Sequence, residues 1–407
     1  MQYDMVFEGG GAKGMVFVGA LEVFLSQGHS HGRLLGTSAG AITAALLAAG
    51  YGPDEMLEVL AEKVEGHSVF AGFMATPAEP DKESIKKSET RELLRNIDIP
   101  FLPDRFEEKL DDHLVEWMAA QPSLRNVFSF VERGGWFSAD NFITWLQKRM
   151  DTGTNGGTPR NYSKMTLAQF YDATQKDLSL VGADTTKGLM LVLNHRTAPE
   201  LPIVWAVRMS MSIPLVWQEV VWQPEWGQYR GHDMVGDAIV DGGLLSNFPI
   251  ELFVSRAATV TAVMGEEASE HVLGMMIDES MEVPGAVPAG GAAEAPKTQA
   301  KVGVGDLRTV QRISNLVNTM TGARDKNVID AFEKLVVRLP AKGYGTVEFD
   351  MTDERRGLLV EAGRGVMRDY LKRAAEAEAE VSFGMGPSAE DLKAAQTADS
   401  LATKMLK

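Results

Sequence analysis

The feature that most restricts the fold is the alternation of strand-like and helix-like stretches in the first fifty residues. Residues 3–7 (YDMVF) form a short apolar run that ends in a glycine cluster at 9–14 (GGGAKG). Residues 15–27 are apolar enough for a buried helix, 28–32 supply a turn, and residues 34–35 start a second strand that runs into Gly36. Residues 39–49 are rich in alanine, the strongest helix former, and stop at Gly50. Parallel strands need long crossovers, and a helix is the usual crossover, so strand, helix, strand, helix opens a parallel sheet of the α/β class.

The rhythm breaks at 66–135, where a charged stretch (81–95), prolines and scattered aromatics predict a helical insertion over the sheet, a candidate lid. Regular structure is expected again at 137–150, 178–182, 189–193 and 204–222, and residues 238–243 end a strand at an acidic turn. Residues 1–265 thus read as one domain, and 266–300 as a flexible linker or loop whose Pro/Gly/Ala part is 283–300 (VPGAVPAGGAAEAPKTQA). Helices are predicted at 307–321 and 327–334, a strand at 335–339, and a helix at 352–373 with Thr352 as its N-cap. Residues 301–380 would pack back on the core, and 381–407 would be a partly frayed tail.

Composition removes several classes of function. The 407 residues carry a net charge of −16, which speaks against broad neutralisation of nucleic-acid phosphates and against purely electrostatic attachment to anionic membranes. There is no cysteine, so disulfides and thiolate chemistry are excluded. The first residues, MQYDMVFEGG, lack a basic segment followed by an apolar run, so a secretory signal peptide is not expected. The longest run of small apolar residues, 39–49, is well short of the ~20 a spanning helix needs. A soluble protein, cytoplasmic or peripheral to a membrane, is the expectation.

Three constellations carry chemistry. Gly36-Thr37-Ser38-Ala39-Gly40 is a G-x-S-x-G between strand and helix, where the nucleophile needs a sharp turn and glycine neighbours that let backbone approach. The helix that begins at Ala39 also aims its positive end at Ser38. Taken alone, the motif is moderately specific, the lesser alternative being an ordinary small-residue strand-to-helix turn. Gly9-Gly10-Gly11-Ala12-Lys13-Gly14 matches the dinucleotide fingerprint, but the second strand ends in Gly36-Thr37-Ser38 without the acid that would hold a ribose. Lys13 is followed by Gly14, so the loop is not a Walker loop either. An oxyanion hole fits better: backbone N–H groups of Gly9, Gly10 and Gly11 converge at a helix start, and Lys13 adds positive charge. Asp241-Gly242-Gly243 places a carboxylate at a strand end, from which it can face another strand end, although an isolated Asp-Gly is most simply a β-turn.

In this order and with these flanks, FEGGGAKG, GTSAG and DGG resemble the patatin-like phospholipase family, bacterial type. The likeness continues in GGWFSADNFITWL (134–146), AVRMSMSIPLVW (206–217) and DGGLLSNFP (241–249) and covers about residues 3–255. The stretch GYGTVEFDMTDE (343–354) looks like the strand-helix return of bacterial members. The resemblance implies a three-layer α/β/α sandwich with a mostly parallel central sheet. It implies a Ser-Asp dyad at Ser38 and Asp241, and an oxyanion hole from the Gly9–Gly11 loop with Lys13 in the family's basic slot. Gly14, Gly36, Gly40, Gly242 and Gly243 are the supporting glycines. The implied substrates are glycerophospholipids, lysophospholipids or neutral acyl esters, cleaved without a cofactor. In such a mechanism Asp241 deprotonates Ser38 and later activates water, and partial desolvation should raise its pKa from about 3.9.

The rival G-x-S-x-G fold, the α/β-hydrolase, orders its triad Ser, Asp, His and has several strands before the nucleophile. Here only His271 follows Asp241, and surface or structural roles suit the seven histidines better. No metal-ligand spacing occurs. An acyltransferase or thioesterase using the same dyad, or a catalytically silent lipid-binding module, would carry the same motifs. Trp217, Trp222 and Trp226, and the group Trp117, Phe128, Phe130, Trp136 and Phe137, suit either a core or peripheral contact with a membrane.

Overall fold

Among the described residues eight strands build the central sheet: β1 (Gln2–Phe7), β2 (Ser30–Thr37), β3 (Leu178–Asp184), β4 (Leu189–Leu193), β5 (Val220–Val221), β6 (Ala238–Asp241), β7 (Val272–Glu282) and β8 (Val336–Lys342). They come from a computed structural model that describes residues 1–64, 66–90, 115, 117, 121–286, 331–346, 348–381 and 389–406. The strand order is β5-β6-β3-β2-β1-β7-β8, with β4 on the remaining edge of β3. β3, β2, β1, β7 and β8 run parallel to one another, while β4 and β6 pair antiparallel with β3 and β5 antiparallel with β6.

The helices used below are α1 (Val16–Ser26), α2 (Ala39–Ala48), α3 (Asp140–Asp151), α4 (Ile203–Ser210), α5 (Ala258–Met264), α6 (Asp353–Val381) and α7 (Ala389–Met405). Side chains on a strand alternate between faces, and the core divides accordingly. Met5, Phe7, Leu34 and Leu180 pack with α1, α2, α3, α4 and α6 on one face. Val6, Leu35 and Val181 pack with α5 and α7 on the other. The result is the α/β/α sandwich with a mostly parallel sheet and, over one side, an insertion. In that insertion the described elements include a short strand at His67–Ser68, a 3-10 turn at Val69–Phe73 and helices at Lys82–Lys86 and Pro122–Arg133.

Several boundaries differ from expectation. β2 starts at Ser30, inside the expected turn, because residues 30–31 pair with the start of β1. Residues 266–300 are not one linker: 272–282 form β7, inside the sheet between β1 and β8. Its apolar run is short and ends in acidic residues, which hides it in the sequence; Asp278 answers its own burial with bonds from Ser280 and Arg338. The part at 287–300 and the helix expected at 307–321 lie outside the described residues, as does most of 327–334. The tail is no frayed end over 389–405, because α7 buries Ala398, Ala402 and Met405 against the second core. The 343–354 return has its strand earlier, in β8, and the chain then crosses as a strap of turns until α6 begins after Thr352, whose hydroxyl accepts the Arg355 N–H at 3.3 Å. Trp217, Trp222 and Trp226 are core residues, whereas Trp117 is exposed. Among the described residues no helix is long and apolar enough to cross a membrane.

Candidate active site

Two residues far apart in the chain meet because they use one edge of one strand. β2 pairs along β3 until Thr37 stands opposite Val181. β6 comes from the other direction and ends with Asp241 opposite Gly182, the next rung. β4 occupies the far edge of β3 over residues 180–184, so β2 and β6 must share the near one. The C-terminal ends of β2 and β6 therefore abut, and the residues that follow or close them are Ser38 and Asp241.

Ser38 sits at φ 53°, ψ −120°, a conformation that costs a non-glycine residue about 1–3 kcal/mol and is kept only when its surroundings impose it. The surroundings are tight. A Cβ on Gly36 would stand 2.3 Å from the Gly40 carbonyl oxygen, and one on Gly40 would stand 2.2 Å from that of Phe7. Gly14 and Gly242 are likewise packed too closely for a side chain, against Ala39 and the Val181 carbonyl. Gly243 donates its N–H to Asp241 Oδ1 at 2.8 Å. The Ser38 N–H is held by Ser210 Oγ at 3.1 Å, and α2 starts immediately after it.

Asp241 is almost wholly buried, and its own N–H donates to the Ser212 carbonyl at 2.9 Å. Burial pushes its pKa up to about 7, against the opposite pull of the Ser38 hydroxyl and the Gly243 N–H. Its Oδ2 is sealed from solvent and makes no hydrogen bond of good geometry among the described residues. The Ser38 hydroxyl nonetheless lies close enough to pull the Asp241 pKa down against the effect of burial.

The glycine loop lies against this pair: a Cβ on Gly9 would come within 3.0 Å of Ser38 Cβ. The Gly9 N–H, however, donates to the Asn247 carbonyl at 3.2 Å and that of Ala12 to the Thr346 carbonyl at 2.9 Å. Gly9 is therefore not an available donor, contrary to expectation. The N–H groups of Gly10 and Gly11 make no such bond among the described residues. Lys13 is also placed differently from expectation. Its buried ammonium pairs with Glu279 and donates to Thr346 Oγ1 at 2.9 Å, bracing the loop to β7 and to the strap beyond β8.

Beside the pair opens an apolar cleft, walled by Ile42, Leu60, Phe70, Phe73, Met211, Ile213, Trp217 and Phe349 and floored by Ser38 and the glycine loop. Among the described residues no histidine lines it. His271 sits at the opposite end of the sheet, packed on Tyr3, about 13 Å along β1 from Phe7 at 3.3 Å per residue. The described molecule thus offers Ser38 a carboxylate and no imidazole in this cleft.

Sequence reasoning missed Ser210, Ser212 and Asn247. Asn247 Nδ2 donates to the Gly9 carbonyl at 2.8 Å and to Glu8 Oε1 at 3.3 Å, clasping the loop from the side opposite its backbone bond. All three stand in segments whose family likeness is plain, and the serines are polar interruptions of an apolar run, but no local rule assigns them partners.

The family model of patatin-like phospholipases matches residues 5–254. The uncharacterized protein YqhO of Bacillus subtilis is 26% identical over 380 residues, covering 92% of this chain and 99% of that protein. Among solved structures, the chain is similar to VipD of Legionella pneumophila, with 15% identity and a TM-score of 0.44, over 91% of this chain and 67% of the other. It is also similar to the type III effector ExoU, of Pseudomonas aeruginosa, with 15% identity and a TM-score of 0.38, spanning 61% of that longer chain. With the matched segment running from β1 through the Ser38 turn and past the acidic turn of β6, the chain belongs to the patatin-like phospholipase family, whose members are hydrolases of ester bonds.

Proposed function

We propose that this protein is a serine lipid-acyl hydrolase of the phospholipase A or lysophospholipase kind, with Ser38 as nucleophile and Asp241 as the only general base. The observation that carries the reading is the pairing of a strained, helix-capping serine with a buried carboxylate of raised pKa at the floor of an apolar cleft. A carboxylate of ordinary pKa is a weak base; one titrating near neutrality holds a serine proton far better.

In the reaction Asp241 accepts the Ser38 proton as Oγ attacks the acyl carbonyl. The N–H groups of Gly10 and Gly11, with the positive end of α2, stabilise the oxyanion. The alcohol leaves with the proton from Asp241, and the same carboxylate then deprotonates the water that releases the acyl group. Gly9, Asn247 and Lys13 hold the loop in place, and Ser210 holds the backbone of Ser38.

The test is labelling with a fluorophosphonate probe followed by peptide mapping, alongside acyl release from phospholipid and lysophospholipid vesicles. Label on Ser38, and loss of both label and acyl release in a folded Ser38→Ala protein, is the expected result. Label on another serine would end the assignment. The kcat/KM of the wild type should rise with pH through about 7, because the base works only when ionised and its pKa is raised to that value.

A further inference from the structure

The strap between β8 and α6 lies outside the segment that matches the family model, which ends at residue 254, yet it supplies part of the cleft. Glu348 and Phe349 line the same space as Ser38. Phe349 is mostly buried and meets Trp217 edge-on, with ring centroids 5.8 Å apart. Trp217 in turn donates its indole N–H to the Phe73 carbonyl at 3.1 Å, so a fixed aromatic wall receives the phenyl ring.

The strap is tied at both ends. On one side the Thr346 carbonyl accepts the Ala12 N–H at 2.9 Å, and its hydroxyl accepts from Lys13. On the other, the Arg355 guanidinium stacks on Tyr344 at 4.1 Å and donates to Glu348 at 2.8 Å, and the Tyr344 hydroxyl donates to the Arg355 carbonyl at 3.0 Å. Phe349 cannot leave the cleft without disturbing the glycine loop or breaking this knot. The polar side chains near it are already engaged: Glu348 by Arg355 and the Gly345 N–H, and Thr43 by the Ala39 carbonyl. Nothing in this part of the cleft invites a charged head group, so what it selects is hydrocarbon.

We infer that Phe349 is a specificity-determining residue that limits the length of the acyl chain accepted beside Ser38, and that the strap thereby makes the C-terminal region part of the substrate site. This rests on the lipid-acyl hydrolase reading above. Truncating the ring opens room along the wall, and each further methylene that can be buried is worth about fourfold in discrimination.

The experiment measures kcat/KM of the full-length protein on monodisperse p-nitrophenyl esters from butyryl to palmitoyl, for wild type, Phe349→Ala and Phe349→Trp. Phe349→Ala is expected to raise the long-to-short chain ratio, on the order of 50-fold if three more methylenes enter. Phe349→Trp is expected to lower it, which keeps the test decisive if the alanine variant does not fold. An unchanged ratio in folded variants, or an equal loss on every chain length, overturns the inference and makes the strap only a brace for the glycine loop. If wild type cleaves no ester, or Ser38→Ala cleaves them as well, the hydrolase reading falls and the inference with it.

Discussion

Replacing Asp241 with asparagine should abolish turnover and, at the same time, stabilise the protein at alkaline pH. The carboxyl is held at a pKa of about 7 from an ordinary 3.8, chiefly by burial. About three units at about 1.36 kcal/mol each set a ceiling of about 4 kcal/mol on the cost of ionising it in the folded state. The amide keeps the oxygen that receives the Gly243 N–H, but its NH2 would occupy the place of Oδ2, which has no partner of good geometry, at a cost of about 1–3 kcal/mol. The net gain above pH 7 is then about 1–3 kcal/mol. Its sign follows from proton binding. Below about pH 4 both states of the wild type hold the proton and no penalty exists. From there to about pH 7 the folded state binds more protons than the unfolded one, so wild-type stability falls as pH rises, and above 7 the whole penalty is present. The variant lacks this slope. Urea unfolding of both proteins at pH 4.5 and pH 8, with turnover of a soluble ester measured alongside, gives the difference directly. A stability difference that is the same at both pH values would refute the argument that burial, rather than structure lost on mutation, sets the state of Asp241.

Gly11→Ala should reduce kcat by on the order of 10²–10³, because Gly11 stands at φ 56° and a Cβ there would meet the Thr346 carbonyl at 2.0 Å, displacing a proposed oxyanion donor. Near-normal turnover of a soluble ester would assign the loop another purpose. Ser210→Ala should slow both esterolysis and fluorophosphonate labelling about tenfold, since a lost bond of about 1.4 kcal/mol to the Ser38 N–H loosens the nucleophile's turn. The pH midpoint set by Asp241 should not move with it, and a shifted midpoint would place Ser210 in the proton transfer instead. His271→Ala should stay within a few-fold of wild type; a folded variant down by roughly a thousandfold, the scale of a triad deletion, would put a histidine back into the mechanism.

What the sequence disclosed was what local chemistry dictates. Ser38 between two glycines, at a strand-to-helix turn, is legible because that turn admits few other residues. Asp241 is legible as an acid at a strand end, but its partnership with Ser38 depends on the register of β3, which no stretch of sequence contains. The same holds for the glycine loop. Which N–H groups are left for a ligand is decided by the Asn247 and Thr346 carbonyls, both contributed from far along the chain. Lys13 looked like a charge for the oxyanion because its partner Glu279 belongs to β7, a strand concealed by its acidic end. α7 was concealed differently: its buried face is built largely of alanines, which signal a helix but not what it packs against.

The shared edge of β3 has a consequence for how this architecture tolerates change. The chain leaves that edge just after Thr37 and returns to it over residues 239–241, so that Asp241 ends on the rung next to Thr37 and the chain between is an excursion whose two anchor points are fixed by main-chain pairing. An excursion can lengthen, shorten or be exchanged without altering the distance between its anchors, as long as β3 itself stays in place. Phe70 and Phe73, which line the cleft, stand on such an excursion. Exchanging that stretch would reshape this wall of the cleft while Ser38 and Asp241 keep their mutual position.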